Sequence, residues 1–124
     1  MSIVNQDKPS RMKSVYGHNS TNAVEVVYTC PPNCVAECTF IHVVNGGGST
    51  NSVDVEWYVA AGNQSADAYT SHFLSGKSLG SGDYISFNNI DLVLQPGDKI
   101  QVHPTTAGHI DTIITVTETF VPIG

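Results

Sequence analysis

The chain has 124 residues, a size typical of one domain with a single hydrophobic core. Charged residues make up only 13% of it, and 11 acidic residues against 5 Lys and Arg give a formal charge of −6. A negative surface repels the phosphate backbone, which argues against a nucleic-acid partner. No segment approaches the roughly 18 consecutive apolar residues of a membrane span, and no secretory signal pattern opens the chain. We therefore expect a soluble protein without a membrane partner.

Residues 1–22 are predicted to form an extended N-terminal arm, and residues 23–124 a single domain. A short apolar cluster predicts one edge strand near Met12–Tyr16. Three of the five positive charges lie in the arm, at Lys8, Arg11 and Lys13. This uneven distribution would let the arm dock against an acidic neighbour, and a solvated terminus is the alternative.

Two further strands are predicted between the arm and residue 46. Alternating apolar residues favour a strand at Ala23–Thr29, which Pro31 and Pro32 end. A longer strand follows at Val35–Asn45 and stops at three consecutive glycines, which favour a flexible loop. Because neither a Lys-Ser/Thr pair nor a helix follows this loop, phosphate binding is not expected there.

Three cysteines at a constant spacing of four raise the question of a metal site, with His42 as a fourth ligand. The set is Cys30, Cys34, Cys38 and His42. Residues spaced by four share one side of the chain only when the segment is a helix. This segment is predicted to be a loop and a strand, so the four side chains are expected to lie apart. A Cys30–Cys34 disulfide is a further alternative. We favour free, half-buried thiols that act as small hydrophobic side chains.

The segment Val53–Val59 has the most regular apolar–polar alternation in the chain. Its odd positions are predicted to face inward, with Trp57 at the centre of the core. Asp54 and Glu56 then face outward, two positions apart, as paired catalytic carboxylates would. A solvated strand face explains them better than acid–base chemistry does.

The last third of the chain contains the strongest turn signal. Pro96-Gly97 is typical of a type II turn, and apolar residues alternate on both sides of it. We predict a β-hairpin here, with strands at Leu92–Leu94 and Ile100–Val102. Further strands are predicted at Tyr69–Leu74, Tyr84–Phe87 and His109–Phe120.

No catalytic residue, cofactor-binding residue or metal ligand is predicted. His103 and His109 flank one turn and could meet across a hairpin near Asp111, as a divalent metal pair would. Two neutral histidines at strand ends are the commoner outcome. No serine lies in a nucleophile-elbow sequence, so the residues give catalysis no support.

These elements predict an all-β fold. No window of helical length carries an apolar stripe with end caps. Eight or nine short strands, separated by turns at sandwich spacing, indicate a two-sheet antiparallel β-sandwich. Periodicity alone leaves jelly-roll and immunoglobulin-like topologies equally open.

Three motifs in this order resemble those of small β-sandwich virion proteins of tailed bacteriophages. The first is Tyr28-Thr29-Cys30-Pro31-Pro32-Asn33, the second Ile41-His42-Val43-Val44-Asn45, and the third the hairpin-like Leu94-x-Pro-Gly97-Asp98-x-Ile100-x-Val102. The likeness extends over about residues 28 to 120. This sequence departs from the pattern of those virion proteins at the three cysteines, where β-branched or hydroxyl residues are more usual.

The resemblance implies a non-enzymatic structural protein of the virion, assembled in the host cytoplasm. The leading expectation is a capsid decoration or cement protein that forms a homo-oligomer on the major capsid protein or other virion proteins. A neck, tail or fibre component is the alternative. On a fibre, the sandwich could bind carbohydrate through Trp57, Tyr58 or Tyr69.

A third hypothesis is independent of this resemblance. A cupin-like enzyme would require His103, His109 and a carboxylate to converge inside a barrel.

Overall fold

The computed structural model describes residues 9–121, which fold into eight β-strands arranged in two four-stranded antiparallel sheets. The strands are β1 Ser10–Asn19, β2 Glu25–Thr29, β3 Cys34–Asn45, β4 Asn51–Val59, β5 Tyr69–Leu79, β6 Tyr84–Leu94, β7 Lys99–Pro104 and β8 Ile110–Phe120. The predicted all-β, two-sheet sandwich is confirmed. Residues 9–121 include no helix with the length and apolarity to cross a membrane.

The pairing of the strands is nested. Sheet 1 has the order β1-β8-β3-β6 and sheet 2 the order β2-β7-β4-β5. The first strand therefore pairs with the last, the second with the seventh, the third with the sixth and the fourth with the fifth. This nesting is the jelly-roll arrangement of two packed Greek keys, so strand order decides the topology that periodicity left open.

The predicted turn at Pro96-Gly97 forms, but the predicted hairpin around it is wrong. The Asp98 N–H donates to the Gln95 carbonyl at 2.9 Å, and Gly97 has a φ of 89°, as a type II turn requires. However, β6 pairs with β3 in sheet 1, whereas β7 pairs with β2 and β4 in sheet 2. The turn residues set the local direction of the chain, but not which sheet the next strand joins.

The core lies between the sheets and is built from inward-facing apolar residues of both. Its largest fully buried apolar side chains are Ile41, Val43, Val53, Val55, Leu79, Leu94, Ile100, Val102, Ile110, Ile114 and Val116. The prediction that Trp57 is the centre of this core is wrong, because its side chain is only half-buried. It lies opposite Ser71 of the edge strand β5 and lines a groove with Gln64 and Ser65, so part of the indole has no apolar cover.

Part of the predicted N-terminal arm is a strand of the sandwich. The predicted edge strand near Met12–Tyr16 is the middle of β1, which pairs with β8 along ten residues. Arg11 and Lys13 do contact an acidic residue, but it is Glu118 of the same chain. Residues 1–8, including Lys8, lie outside the described part of the chain.

Candidate interaction surface

The outward-facing side chains of sheet 1 align in rows across all four strands, because the registers of β1, β8, β3 and β6 coincide. One row consists of Tyr16, Ile113, His42 and Ser86, and the next of Ser14, Thr115, Phe40 and Asn88. Within residues 9–121, these two rows contain no Asp, Glu, Lys or Arg. We call these two rows, with the adjoining Tyr84, the sheet-1 face.

Aromatic groups dominate the sheet-1 face. Tyr16 is 81% exposed, Tyr84 62% and Ile113 45%. His42 stacks parallel to the Phe40 ring at 6.2 Å between centroids and lies 5.1 Å from the Tyr84 ring. Its Nδ1 also shares a hydrogen bond with the Ser86 hydroxyl, which fixes the imidazole orientation. A face that exposes ordered aromatic groups and little charge has the composition of an interface core.

One feature of the sequence indicates this surface, although alternation of apolar and polar residues does not reveal it. In the second half of β3, apolar and aromatic residues occupy both faces, since Phe40 and Val44 point outward while Ile41 and Val43 are buried. A continuous run of this kind is typical of a strand that is covered on both sides. The structure covers only the inner side of β3.

One end of sheet 1 carries a cluster of two histidines and an aspartate. His18 Nδ1 lies 2.6 Å from Asp111 Oδ1, and His109 Nε2 lies 3.0 Å from Asp111 Oδ2. The two imidazole rings meet edge to face, 4.5 Å apart. The pKa of Asp111 is lowered, first by the hydrogen bond with His18 and further by that with His109, which together exceed the effect of partial burial.

The suggested meeting of His103 and His109 across a hairpin does not occur. The two histidines flank the same connection, but β7 and β8 belong to different sheets. His103 lies opposite Asp54 on the outer face of sheet 2, whereas His109 joins Asp111 at the end of sheet 1. Asp54 and Glu56 do face outward, as predicted, although Glu56 is buried beneath its neighbours.

All three cysteines are free, as predicted, but they are fully buried between the sheets and not half-buried. His42 lies on the opposite, outer face of sheet 1, so the four-residue set with His42 does not converge. Burial raises the pKa of Cys30 and of Cys38 to about 11. These thiols are therefore poor nucleophiles at neutral pH.

A groove of about 400 Å³ lies beside Trp57, at the edge of sheet 2. Its other lining residues are Val59, Gln64, Ser65, Tyr69 and Ser71. Trp57 Nε1 is shielded from solvent and donates no hydrogen bond to residues 9–121. Tyr69 is largely exposed at the rim. The groove thus offers aromatic surface, and no carboxylate is among its described lining residues.

No protein-family model and no curated protein sequence matches this chain. A subunit from Bacillus endospore appendages, described as disulfide-linked pili, has a TM-score of 0.53 and 13% identity, covering 98% of this chain and 97% of that one. A chain from the acid-stable capsid of Helicobacter pylori bacteriophage KHP30 also has a TM-score of 0.53 and 13% identity, covering 94% and 91%. A chain of infectious bursal disease virus has a TM-score of 0.57 and 9% identity over 92% of this chain, which spans only 34% of the viral chain. At these identities the likeness shows a shared fold.

Proposed function

We propose that this chain is a non-enzymatic structural protein of a tailed-phage virion, and that it decorates or cements the capsid. The sheet-1 face is the surface that binds the particle, and its occupant is the outer surface of the capsid shell. In this proposal the chain forms a homo-oligomer on the shell. The observation that carries the proposal is that two neighbouring rows of the sheet-1 face present aromatic, aliphatic and hydroxyl groups and no Asp, Glu, Lys or Arg, with Asp111 only at their border.

Two further observations support a role in an assembly. The chain matches, almost from end to end, a chain of similar length in a phage capsid structure. The outer face of sheet 2 is strongly polar, with Asp54, Glu56, Lys99 and His103 on it. The two faces of the sandwich are therefore chemically different, as expected of a subunit with one side on a partner and the other in water.

A pilus subunit matches the chain equally well, and those pili are described as disulfide-linked. In this chain all three cysteines are buried between the sheets. A covalent link through them would require the sandwich to open locally. This observation favours noncovalent assembly on a particle over a disulfide-linked fibre.

Co-sedimentation with particles tests the proposal. Virions of the phage that carries this gene should contain the chain, detectable by mass spectrometry, and particles made without it should bind the purified protein. The double variant Tyr16→Asp, Tyr84→Asp places two charges on the sheet-1 face, and we expect at least a tenfold loss of affinity because a buried unpaired charge is costly.

The matched control is Val26→Asp with Tyr69→Asp, which changes two exposed apolar positions of sheet 2. It should bind particles like the wild-type chain. Absence of the chain from purified virions would refute the virion role. Equal binding by both double variants would refute the assignment of the sheet-1 face.

The groove beside Trp57 favours a second candidate function, a carbohydrate-binding module on a tail fibre. Aromatic rings stack on sugar faces, and Trp57 and the largely exposed Tyr69 both line this groove. Because the chain has one tryptophan, its intrinsic fluorescence reports directly on this groove. Titration with host surface glycans should shift the emission, and Tyr69→Ala should abolish the shift. An unchanged spectrum across the glycan panel would exclude this function.

A further inference from the structure

Three potential metal ligands converge on the outer face of sheet 2, and a second histidine lies beside them. Asp54 and Glu56 are two residues apart on β4 and therefore project from the same face. The register places Glu56 directly opposite His72 of β5, and Asp54 directly opposite His103 of β7. Ligand atoms of Asp54, Glu56 and His103 all lie within 4.8 Å of one another, and His72 approaches both carboxylates from the side of β5.

The distances between these groups suit ligands of a shared ion better than hydrogen bonds. His72 Nε2 lies 3.7 Å from Asp54 Oδ2 and 3.5 Å from Glu56 Oε2, and His103 Nδ1 lies 3.9 Å from the same Glu56 oxygen. A good N–H···O hydrogen bond is shorter, at roughly 2.7–3.2 Å. Two ligands about 2.1 Å from a tetrahedral ion are about 3.4 Å apart.

Each carboxylate uses one oxygen within the protein and leaves the other facing the imidazoles. Gln101 Nε2 donates to Glu56 Oε1 at 2.7 Å, and the Gly76 N–H donates to Asp54 Oδ1 at 2.6 Å. Such outer hydrogen bonds are the usual means of orienting metal ligands. Glu56 is only 6% exposed, yet its Oε2 accepts no hydrogen bond from residues 9–121. This oxygen faces the two histidines, at 3.5 Å from His72 Nε2 and 3.9 Å from His103 Nδ1, and is free to bind an ion.

We propose that Asp54, Glu56, His72 and His103 form a binding site for a divalent transition-metal ion of the Zn²⁺ type. Two imidazole nitrogens favour Zn²⁺, Co²⁺, Ni²⁺ or Cu²⁺ over Mg²⁺ and Ca²⁺, which prefer oxygen ligands alone. The ion joins β4 to both of its neighbours. The site lies on the sheet opposite the proposed binding face and is independent of that role.

The other cluster of this type, at His18, His109 and Asp111, provides an internal comparison. There the nitrogen–oxygen distances are 2.6 and 3.0 Å, so both oxygens of Asp111 already have hydrogen-bond partners. No oxygen of Asp111 is therefore free to bind an ion without the loss of a hydrogen bond. We therefore assign the ion to sheet 2.

Titration of tag-free, chelator-treated protein tests the site. Zn²⁺ should bind at one ion per chain in isothermal titration calorimetry. Co²⁺ should produce the visible absorption of a tetrahedral N/O site. At a hundredfold excess over its dissociation constant, Zn²⁺ should raise the melting temperature by about 10 °C.

Variants identify the ligands. His72→Gln and His103→Gln should each weaken Zn²⁺ binding by at least about tenfold, and Glu56→Gln should do the same. His109→Gln, in the comparison cluster, should leave affinity unchanged. His72 is exposed, so its variant remains informative even if Glu56→Gln fails to fold.

Two results would overturn the proposal. One is the absence of stoichiometric binding of both Zn²⁺ and Co²⁺ by the wild-type chain. The other is loss of binding in His109→Gln with full affinity in His72→Gln and His103→Gln, which would move the ion to sheet 1.

Discussion

Glu118 is a carboxylate with no solvent exposure that lies between the sheets and joins three strands. Its Oε2 accepts a hydrogen bond from the Tyr28 hydroxyl at 2.6 Å and lies 3.3 Å from Lys13 Nζ, while Arg11 Nε lies 3.0 Å from Oε1. Desolvation raises the pKa of Glu118, but the bonds from Tyr28, Arg11 and Lys13 outweigh it and the net shift is downward. The residue is therefore charged at neutral pH. Through it, β1 and β8 of sheet 1 are bonded to β2 of sheet 2.

Removing the Tyr28 hydroxyl should weaken this junction. Burial, and then the hydrogen bond to Glu118, raise the pKa of Tyr28, so the phenol remains a donor under all ordinary conditions. We expect Tyr28→Phe to lower the free energy of unfolding by about 1.5–3 kcal/mol, the usual contribution of a hydrogen bond to a charged group. Urea denaturation measures this change. Tyr16→Phe, at a largely exposed phenol, should have almost no effect, and equal losses in both variants would contradict the argument.

At the scale of elements, the connection between β6 and β7 is held in place from two directions. The buried Asp98 accepts hydrogen bonds from the Ala60 N–H at 2.9 Å and from Asn63 Nδ2 at 2.6 Å, both in the loop between β4 and β5. Gly97 and Asp98 also exchange backbone hydrogen bonds with Cys30, just after β2. The turn thereby ties together the two connections beside it.

Gly97→Ala should destabilise the fold through this turn. Gly97 has a φ of 89°, and an added Cβ would lie 3.2 Å from the Ala60 Cβ. A left-handed conformation costs a residue with a side chain about 1–2 kcal/mol, so we expect a loss of that size in urea denaturation. Gly48→Ala, where an added Cβ meets nothing within 4 Å, is the control. Its stability should change by less than about 0.5 kcal/mol.

At this scale the sequence predicts well those features that depend on residues close together in the chain. The alternation at Val53–Val59, the stop at three glycines and the Pro96-Gly97 turn depend on neighbouring residues, and all three appear in the structure. The prediction for Trp57 is wrong because alternation indicates which face of the sheet a residue occupies, but not whether the opposite sheet covers that residue. The predicted hairpin at Pro96-Gly97 is wrong for a similar reason, since a turn sequence does not determine which strand the next strand pairs with.

At the scale of the whole molecule, nested pairing brings together residues that are far apart in the chain. Tyr16, His42 and Ile113 share one row, and Asp54 and His103 lie opposite each other. No sequence window contains such a set, so neither the sheet-1 face nor the four-ligand cluster could be read from spacing. Strand order, which only the folded chain reveals, creates both.

Acid stability is a property of the whole molecule that Glu118 helps to set. Its ordinary pKa is 4.5 and its folded pKa is lower, so below pH 4.5 the unfolded chain takes up the proton first. The stabilisation is complete above pH 4.5 and is lost as pH falls through the folded pKa. The pKa of Asp111 is lowered from its ordinary value of 3.8, so Asp111 also loses its contribution to stability as pH falls.

Urea denaturation at pH 7, 5, 4 and 3 should therefore show a steep loss of stability below pH 4.5. Glu118→Gln should be less stable than wild type at pH 7 and should lose less between pH 5 and pH 3. Glu37→Gln should lose at least as much stability as wild type on acidification, because the hydrogen bond with Asp91 raises the pKa of Glu37, which favours the folded chain at low pH. Parallel curves for wild type and Glu118→Gln would show that this carboxylate does not govern acid unfolding.

The antiparallel match of β1 with β8 has a practical consequence. Ser10 lies opposite Thr119, and the Phe120 N–H donates to the Pro9 carbonyl at 2.9 Å. A reporter or affinity handle fused before Pro9 or after Val121 would thus leave from one shared corner. Spliced into a permissive surface loop of a larger host protein, the sandwich would project as a side branch without pushing the host's two halves apart.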